Sequence, residues 1–290
     1  MAVGKEILTK IRSVQNTQKI TRAMQMVSTS KMRKTQERMR TARPYAEKVR
    51  TVMAHLAMAN SNTDEVHPML AQRDTIRRAG VILITSDKGL CGGLNSNILK
   101  RFFTLVQKLT ADGVEVDVCC LGQKGLAACQ RAEMSVVASA TQLGDIPKID
   151  RLVGSLRVLF EKYAEGELDA VHIVYSRFIN TMKQEPVEEQ LVPITPEHIV
   201  VEHSHSWEYL YEPDAHSVLE FLVRRYLESV VYQSLAENMA SEQAARMIAM
   251  KAATDNAGNA IKQLQLVYNK SRQAAITTEL SEIVAGAAAV

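Results

Sequence analysis

Glycine and proline are missing from long stretches at both ends of this 290-residue chain, and that absence constrains its fold more than any motif does. Ten of the 13 glycines lie between Gly80 and Gly166, whereas none falls between Gly4 and Gly80 or between Gly166 and Gly258. Pro44 alone precedes Pro68, and no proline follows Pro213. These two residues are the strongest interrupters of regular structure. Two uninterrupted arms are therefore expected to flank a middle section rich in turns.

Along the first arm apolar residues recur at steps of three or four: Ile7, Ile11 and Val14, then Ile20, Met24 and Val27, then Tyr45, Val49, Val52 and Leu56. Such spacing keeps one helical face apolar and predicts a single helix over roughly 3–57. Pro44 is a candidate kink, since proline removes a backbone donor and presses on the preceding turn. The second arm opens at Pro213-Asp214, a helix-start signal, and its stripe runs through Leu219, Leu222, Tyr226, Val230, Ile261, Leu264 and Tyr268 to about Ala285. A helix of about 70 residues is on the order of 105 Å long. Helices of that length call for a coiled coil, a membrane span or a helical repeat. No stretch approaches the roughly 18 apolar residues of a span, and no repeat is visible, so a coiled coil remains. A middle section that returns the chain makes the pairing antiparallel, and Ala236, Ala240, Ala244, Ala245, Ala249, Ala252 and Ala253 would let two backbones approach closely.

In the middle, 79–85 is a continuous apolar run suited to a buried strand, followed by a glycine-rich turn and a helical pattern over 94–109. Further strands read at 115–121 and 168–175, with helices near 123–131 and 148–164. Strands alternating with helices indicate a largely parallel sheet, while 185–213, rich in Pro, His and Glu, reads as loops. The expected fold is α/β plus long helices: an antiparallel coiled coil of N- and C-terminal helices with a central Rossmann-like α/β domain. Its segments are 1–60, 75–205 and 210–290.

Composition narrows function. Hydrophobic residues make up 46% of the chain, enough for a sizeable core, while aromatics at 5% favour helix packed on helix. The four cysteines, at 91, 119, 120 and 129, form no C-x-x-C pair and read as buried thiols of a reducing compartment. The net charge of +3 conceals a division: residues 1–50 hold 13 Lys and Arg against 3 acidic residues, leaving 22 against 29 elsewhere. Lys19, Arg22, Lys31, Arg33, Lys34 and Arg38 could face phosphates or an acidic protein surface. Tyr45 is the first aromatic residue, so the arm lacks stacking platforms for bases, and an acidic protein partner fits better. The loop from Ser86 to Asn95 sits where phosphate loops sit but lacks the G-K-[ST] ending and the G-x-G-x-x-G spacing. Cys91 has no evident base, and His203 and His205 lack further ligands. No catalytic set, metal site or cofactor site emerges.

Three segments resemble the γ-subunit family of bacterial F-type ATP synthases: Gln18 to Met24 continuing through Ser30 to Lys34, the turn from Asp87 to Gly92, and Ile276 to Ala287. The resemblance covers essentially the whole chain. It implies a non-catalytic central-stalk rotor inside a ring of three α and three β subunits, with its foot on the membrane-embedded c-ring and the ε subunit on the α/β domain. Proton flow would turn the shaft and drive the three β sites in sequence through ATP synthesis. Carried over by position, Arg272 and Gln273 resemble residues that engage a β-subunit catch loop, with Glu242 and Arg246 nearby. Met24 corresponds to a position facing an acidic segment of β, and Thr277 and Glu279 to positions important for coupling. Tyr209, Tyr211 and Glu212 resemble the c-ring foot. The family's place is peripheral, on the cytoplasmic face of the bacterial inner membrane. The thiol-regulated cysteine insert of chloroplast relatives is absent, so redox gating is not expected, and the lack of a transit peptide favours a bacterial source. The alternatives read from the residues are a nucleic-acid-binding coiled coil and a small α/β enzyme with helical arms.

Overall fold

The computed structural model describes residues 2–60, 67–71, 73, 75–147, 149–194 and 215–288. In chain order the elements are α1 (Ala2–Asn60), β1 (Arg78–Ile84), α2 (Leu94–Ala111), β2 (Glu115–Leu121), α3 (Gln123–Arg131), β3 (Ser135–Ala140), α4 (Ile149–Ala164), β4 (Ala170–Phe178), β5 (Gln184–Val192) and α5 (Ala215–Ala288). The missing breakers thus read correctly as two long helices, and α1 runs uninterrupted through Pro44. The start signal at Pro213-Asp214 lies outside the described residues. Two compact units form: Met1–Ser30 with Arg246–Val290, and Lys31–Ala245. Both long helices contribute to both units.

In the first unit α1 and α5 run antiparallel. Ile7 and Ile11 of α1 bury against Ile261 of α5, with Val14, Leu264 and Tyr268 around them. Further along α1, and correspondingly earlier in α5, the seam turns polar. Thr21 Oγ1 lies 2.8 Å from Thr254 Oγ1, and Gln18 Nε2 donates to Thr254 O at 3.4 Å. Side chains this short touch only when backbones lie close. Gly258 faces Gln18 here: a Cβ would stand 3.0 Å from Gln18 Nε2, the movable end of that side chain. The alanines expected to line the seam divide: Ala240 and Ala244 are buried in the second unit, whereas Ala252 is exposed.

The second unit is built on a five-stranded sheet of order β3-β2-β1-β4-β5. The pairs β3·β2, β2·β1 and β1·β4 are parallel, and β4·β5 is antiparallel. Alternation along β1 divides the core: Ala79, Val81 and Leu83 face a cluster with Ile98, Phe102 and Leu105 of α2, while Ile82 and Ile84 face one with Leu152, Leu156 and Leu159 of α4. The second cluster also takes Leu219, Val223, Leu227, Val230, Val231 and Leu235 of α5. Burial on both faces is why β1 reads as an unbroken apolar run.

Two strands escaped the sequence reading. β3, Ser-Val-Val-Ala-Ser-Ala, is short and half-buried, and β5 contains Pro186 and three glutamates where loops were expected. Both are edge strands, where one face needs little apolar content and a proline is tolerated.

Candidate functional site

The turn after β1 is a closed hydrogen-bonded unit. Ser86 N–H donates to Asn95 Oδ1 at 3.2 Å, Asn95 Nδ2 donates back to Ser86 Oγ at 2.7 Å, and Ser86 Oγ donates to Lys88 O at 2.7 Å. The same segment caps α3. Gln123 N–H donates to Asp87 Oδ1 at 3.0 Å, Lys124 N–H to Ser86 O at 3.1 Å, and Gly125 N–H to Thr85 Oγ1 at 2.8 Å. Three of the free amides that make a helix start attractive to anions are thereby used. Gly122 is required for this approach: its φ is +111°, and a Cβ would lie 2.2 Å from Thr85 O. The turn leaves Leu90 exposed with a φ of +64°. Cys91 is buried beside Asn95 Nδ2, and all four cysteines are free and buried. Cys119, on β2, has its thiol pushed up to about 12 by burial, far from a reactive thiolate.

At the other end of these strands, Asp169 ties the start of β1 to the start of β4. It accepts from Arg77 N–H at 2.7 Å, Arg78 N–H at 3.1 Å and Arg73 Nη1 at 2.9 Å. Burial alone would raise its pKa, but these donors outweigh that and hold the carboxyl below its ordinary range. A cavity of about 730 Å³ lies here, and its arginines face Glu115, Glu167 and Asp169, so its charge is balanced.

The residues expected at the end of α5 form a different surface. Arg272, Gln273, Thr277 and Glu279 are all exposed. At about 100° per residue they fall within roughly 160° of the helix circumference, interleaved with Ile276, Leu280, Ile283 and Val284. Those four apolar side chains are 47–67% exposed. Thr277 Oγ1 returns to Gln273 O at 2.9 Å, so it adds no outward donor. Met24 is half-buried on α1 in the first unit, Glu242 half-buried on α5 in the second, and Arg246 is 8% exposed. The structure therefore groups four of the expected residues on one stretch and sets the other three apart. Tyr209, Tyr211 and Glu212 lie outside the described residues, as do His203 and His205.

The basic arm is partly committed within the second unit. Lys31 Nζ pairs with the Asp145 carboxylate at 2.8 Å, and Arg38 Nη1 donates to Asp145 O at 2.6 Å. The nucleic-acid reading finds no support. Among the described residues there is no cluster of metal-ligating side chains, and no helix is long and apolar enough to cross a membrane. Sequence reasoning missed Asn238 and Ser241, polar residues buried in α5 among alanines. Their signal was polarity where the stripe is small and apolar.

Comparison with known proteins agrees with this architecture. A family model described as ATP synthase matches residues 4–290. The ATP synthase gamma chain of Chromobacterium violaceum is 79% identical over 290 residues, with all of both chains covered. That of Neisseria meningitidis serogroup C is 68% identical over 294 residues, again across both full lengths. The central stalk and c-ring structure of Tetrahymena thermophila mitochondrial ATP synthase contains a chain 26% identical at a TM-score of 0.60, covering 81% of this chain and 99% of that one. A chain of the Euglena gracilis mitochondrial ATP synthase rotor, 17% identical, shares the fold at a TM-score of 0.67, covering 95% and 99%. On sequence and fold together, this chain belongs to the ATP synthase gamma chain family.

Proposed function

We propose that this chain is the non-catalytic central-stalk rotor of a proton-translocating ATP synthase, coupling c-ring rotation to sequential changes at three β-subunit sites. Its partners are three α and three β subunits, the ε subunit and the c-ring, and its place is peripheral, on the cytoplasmic face of the bacterial inner membrane. The observation that carries this reading is the far end of α5. A helix with Ile276, Leu280, Ile283 and Val284 so exposed is made for a surrounding partner.

The residue roles are those the family resemblance implies. Arg272 and Gln273 engage the β catch loop, with Glu242 and Arg246 on the same helix, and Thr277 and Glu279 serve coupling. Met24 faces an acidic segment of β, and Tyr209, Tyr211 and Glu212 form the c-ring foot. Segments 1–60 and 210–290 act as shaft and 75–205 as the body that carries ε. Energetically the scheme is sound. A charge crossing 100 mV gains about 2.3 kcal/mol, so several protons exceed the roughly 1.5–3 kcal/mol of one charged hydrogen bond, and catches are made and broken in turn.

Reconstitution with α and β subunits and the membrane sector tests the reading. The isolated chain should show no ATPase activity, and the assembly should make ATP under a proton gradient only when the chain is present. Gradient-driven synthesis without it would refute the proposal.

A further inference from the structure

Open α/β sheets bind ligands at the carboxyl ends of their strands, where the strand order reverses. In the order β3-β2-β1-β4-β5 that point lies between β1 and β4. β1 pairs with β4 only as far as Leu83 opposite Val174; at Thr85 the chain bonds instead to Leu121 O of β2, at 2.8 Å. β4 continues to Phe178, so its last residues lose β1 as a lateral partner.

On the other side, β5 supplies partners to alternate residues only. Ile179 N–H donates to Lys183 O at 3.3 Å, which makes 177/185 and 175/187 the hydrogen-bonded pairs of the hairpin. Ser176 stands opposite Pro186 in the intervening, non-bonded position. That is where a proline costs the ladder nothing. It also means that the Ser176 N–H and C=O point away from β5, into the gap that β1 has left.

α5 fills that gap. Asn238 Oδ1 accepts from Ser176 N–H at 3.1 Å, and Ser241 Oγ donates to Ser176 O at 3.0 Å. Asn238 and Ser241 are three residues apart and so share a helix face. All three residues are at most 2% exposed. Two side chains of one helix thus replace a strand at a single residue, capturing both of its backbone groups. Next to Ser176, Arg177 pairs with Glu189 and Tyr175 Oη donates to Glu189 at 3.2 Å, which fixes the captured segment to β5.

We propose that Asn238 and Ser241 are positioning residues for energy coupling: the joint through which torque passes between the sheet and α5. This rests on the rotor reading. The apolar face of α5, Leu219 to Leu235, holds the helix to the sheet strongly, but apolar contact has no preferred direction and resists separation better than turning or sliding. Two directional bonds from one helix face to the N–H and C=O of a single strand residue fix both its height and its azimuth.

The test uses the chain assembled with its α and β subunits, the ring fixed to a surface and rotation halted. A bead is attached through a cysteine at exposed Gln107 on α2, and in a second preparation through one at exposed Glu220 on α5; the four native cysteines are buried. With the bead on α2, the variant Asn238→Ala/Ser241→Ala should widen the thermal angular variance by about twofold, because the apolar face that remains is non-directional. With the bead on α5 the joint is out of the load path, and the variance should not change. Ser241→Thr, which keeps the hydroxyl, should restore stiffness in the single-site background. If the double variant fails to assemble, Ser241→Ala alone carries the measurement. An unchanged variance on α2, or an equal rise at both attachments, overturns the proposal. Failure of the unsubstituted complex to rotate its bead with ATP would instead count against the rotor reading.

Discussion

The two compact units solve opposite problems. The second, Lys31–Ala245, buries both faces of its sheet and spends its polar groups internally, down to the amides of α3 and the backbone of Ser176. The first, Met1–Ser30 with Arg246–Val290, buries Ile7, Ile11 and Ile261 against one another and leaves Leu266, Val267, Ile276 and Leu280 largely in solvent. Exposed apolar side chains of the second unit, such as Leu90 and Met182, stand singly in turns, whereas the first unit aligns Ile276, Leu280, Ile283 and Val284 along one stretch of helix. On the proposed rotor reading, that contrast separates the body of the chain from the stretch its partners contact.

Breaking the second unit should give the largest stability effects. Gly122→Ala places a Cβ against Thr85 O in a left-handed backbone and should cost roughly 4 kcal/mol, seen as a lower denaturant midpoint. Leu159→Ala, a fully buried position, should cost about 3 kcal/mol by the same measurement. Ile261→Ala in the first unit, where fewer neighbours close around the side chain, should cost about 1.5 kcal/mol and raise hydrogen exchange in that unit only. Near-equal costs for the last two would erase the contrast.

A smaller effect depends on pH. His172 on β4 is held below its ordinary value of 6.5 chiefly by burial, with nearby Glu188 opposing and Lys108 adding to the shift. The unfolded chain therefore takes up a proton that the folded one refuses as the pH falls below 6.5. The associated stability is full above that value and is lost on descending through the folded pKa. His172→Gln should flatten the stability profile of the second unit on the acid side of pH 6.5, leaving its value at pH 8 nearly unchanged.

Much of this was legible in the sequence, for reasons that differ by element. The long helices followed from missing breakers, and β2 and α3 were bounded correctly because Gly113, Gly122 and Arg131 bracket clear apolar patterns. β5 was lost because Pro186, Glu185, Glu188 and Glu189 carry loop composition, and only its pairing with β4 makes it a strand. A largely parallel sheet was expected, and β5 is its one antiparallel member. The turn at Ser86–Asn95 was recognised as a tight strand-to-helix connection, but its capping of α3 joins residues 36 to 40 apart. The capture of Ser176 by Asn238 and Ser241 spans 62 and 65 residues, beyond any local pattern.

Arg272 and Gln273 are exposed side chains whose loss should shift stability by no more than about 0.5 kcal/mol. The decisive measurement is proton-driven ATP synthesis by the reconstituted complex carrying Arg272→Ala/Gln273→Ala. A markedly reduced coupled rate with an unchanged unfolding midpoint is the predicted result. Normal synthesis by the double variant would contradict it.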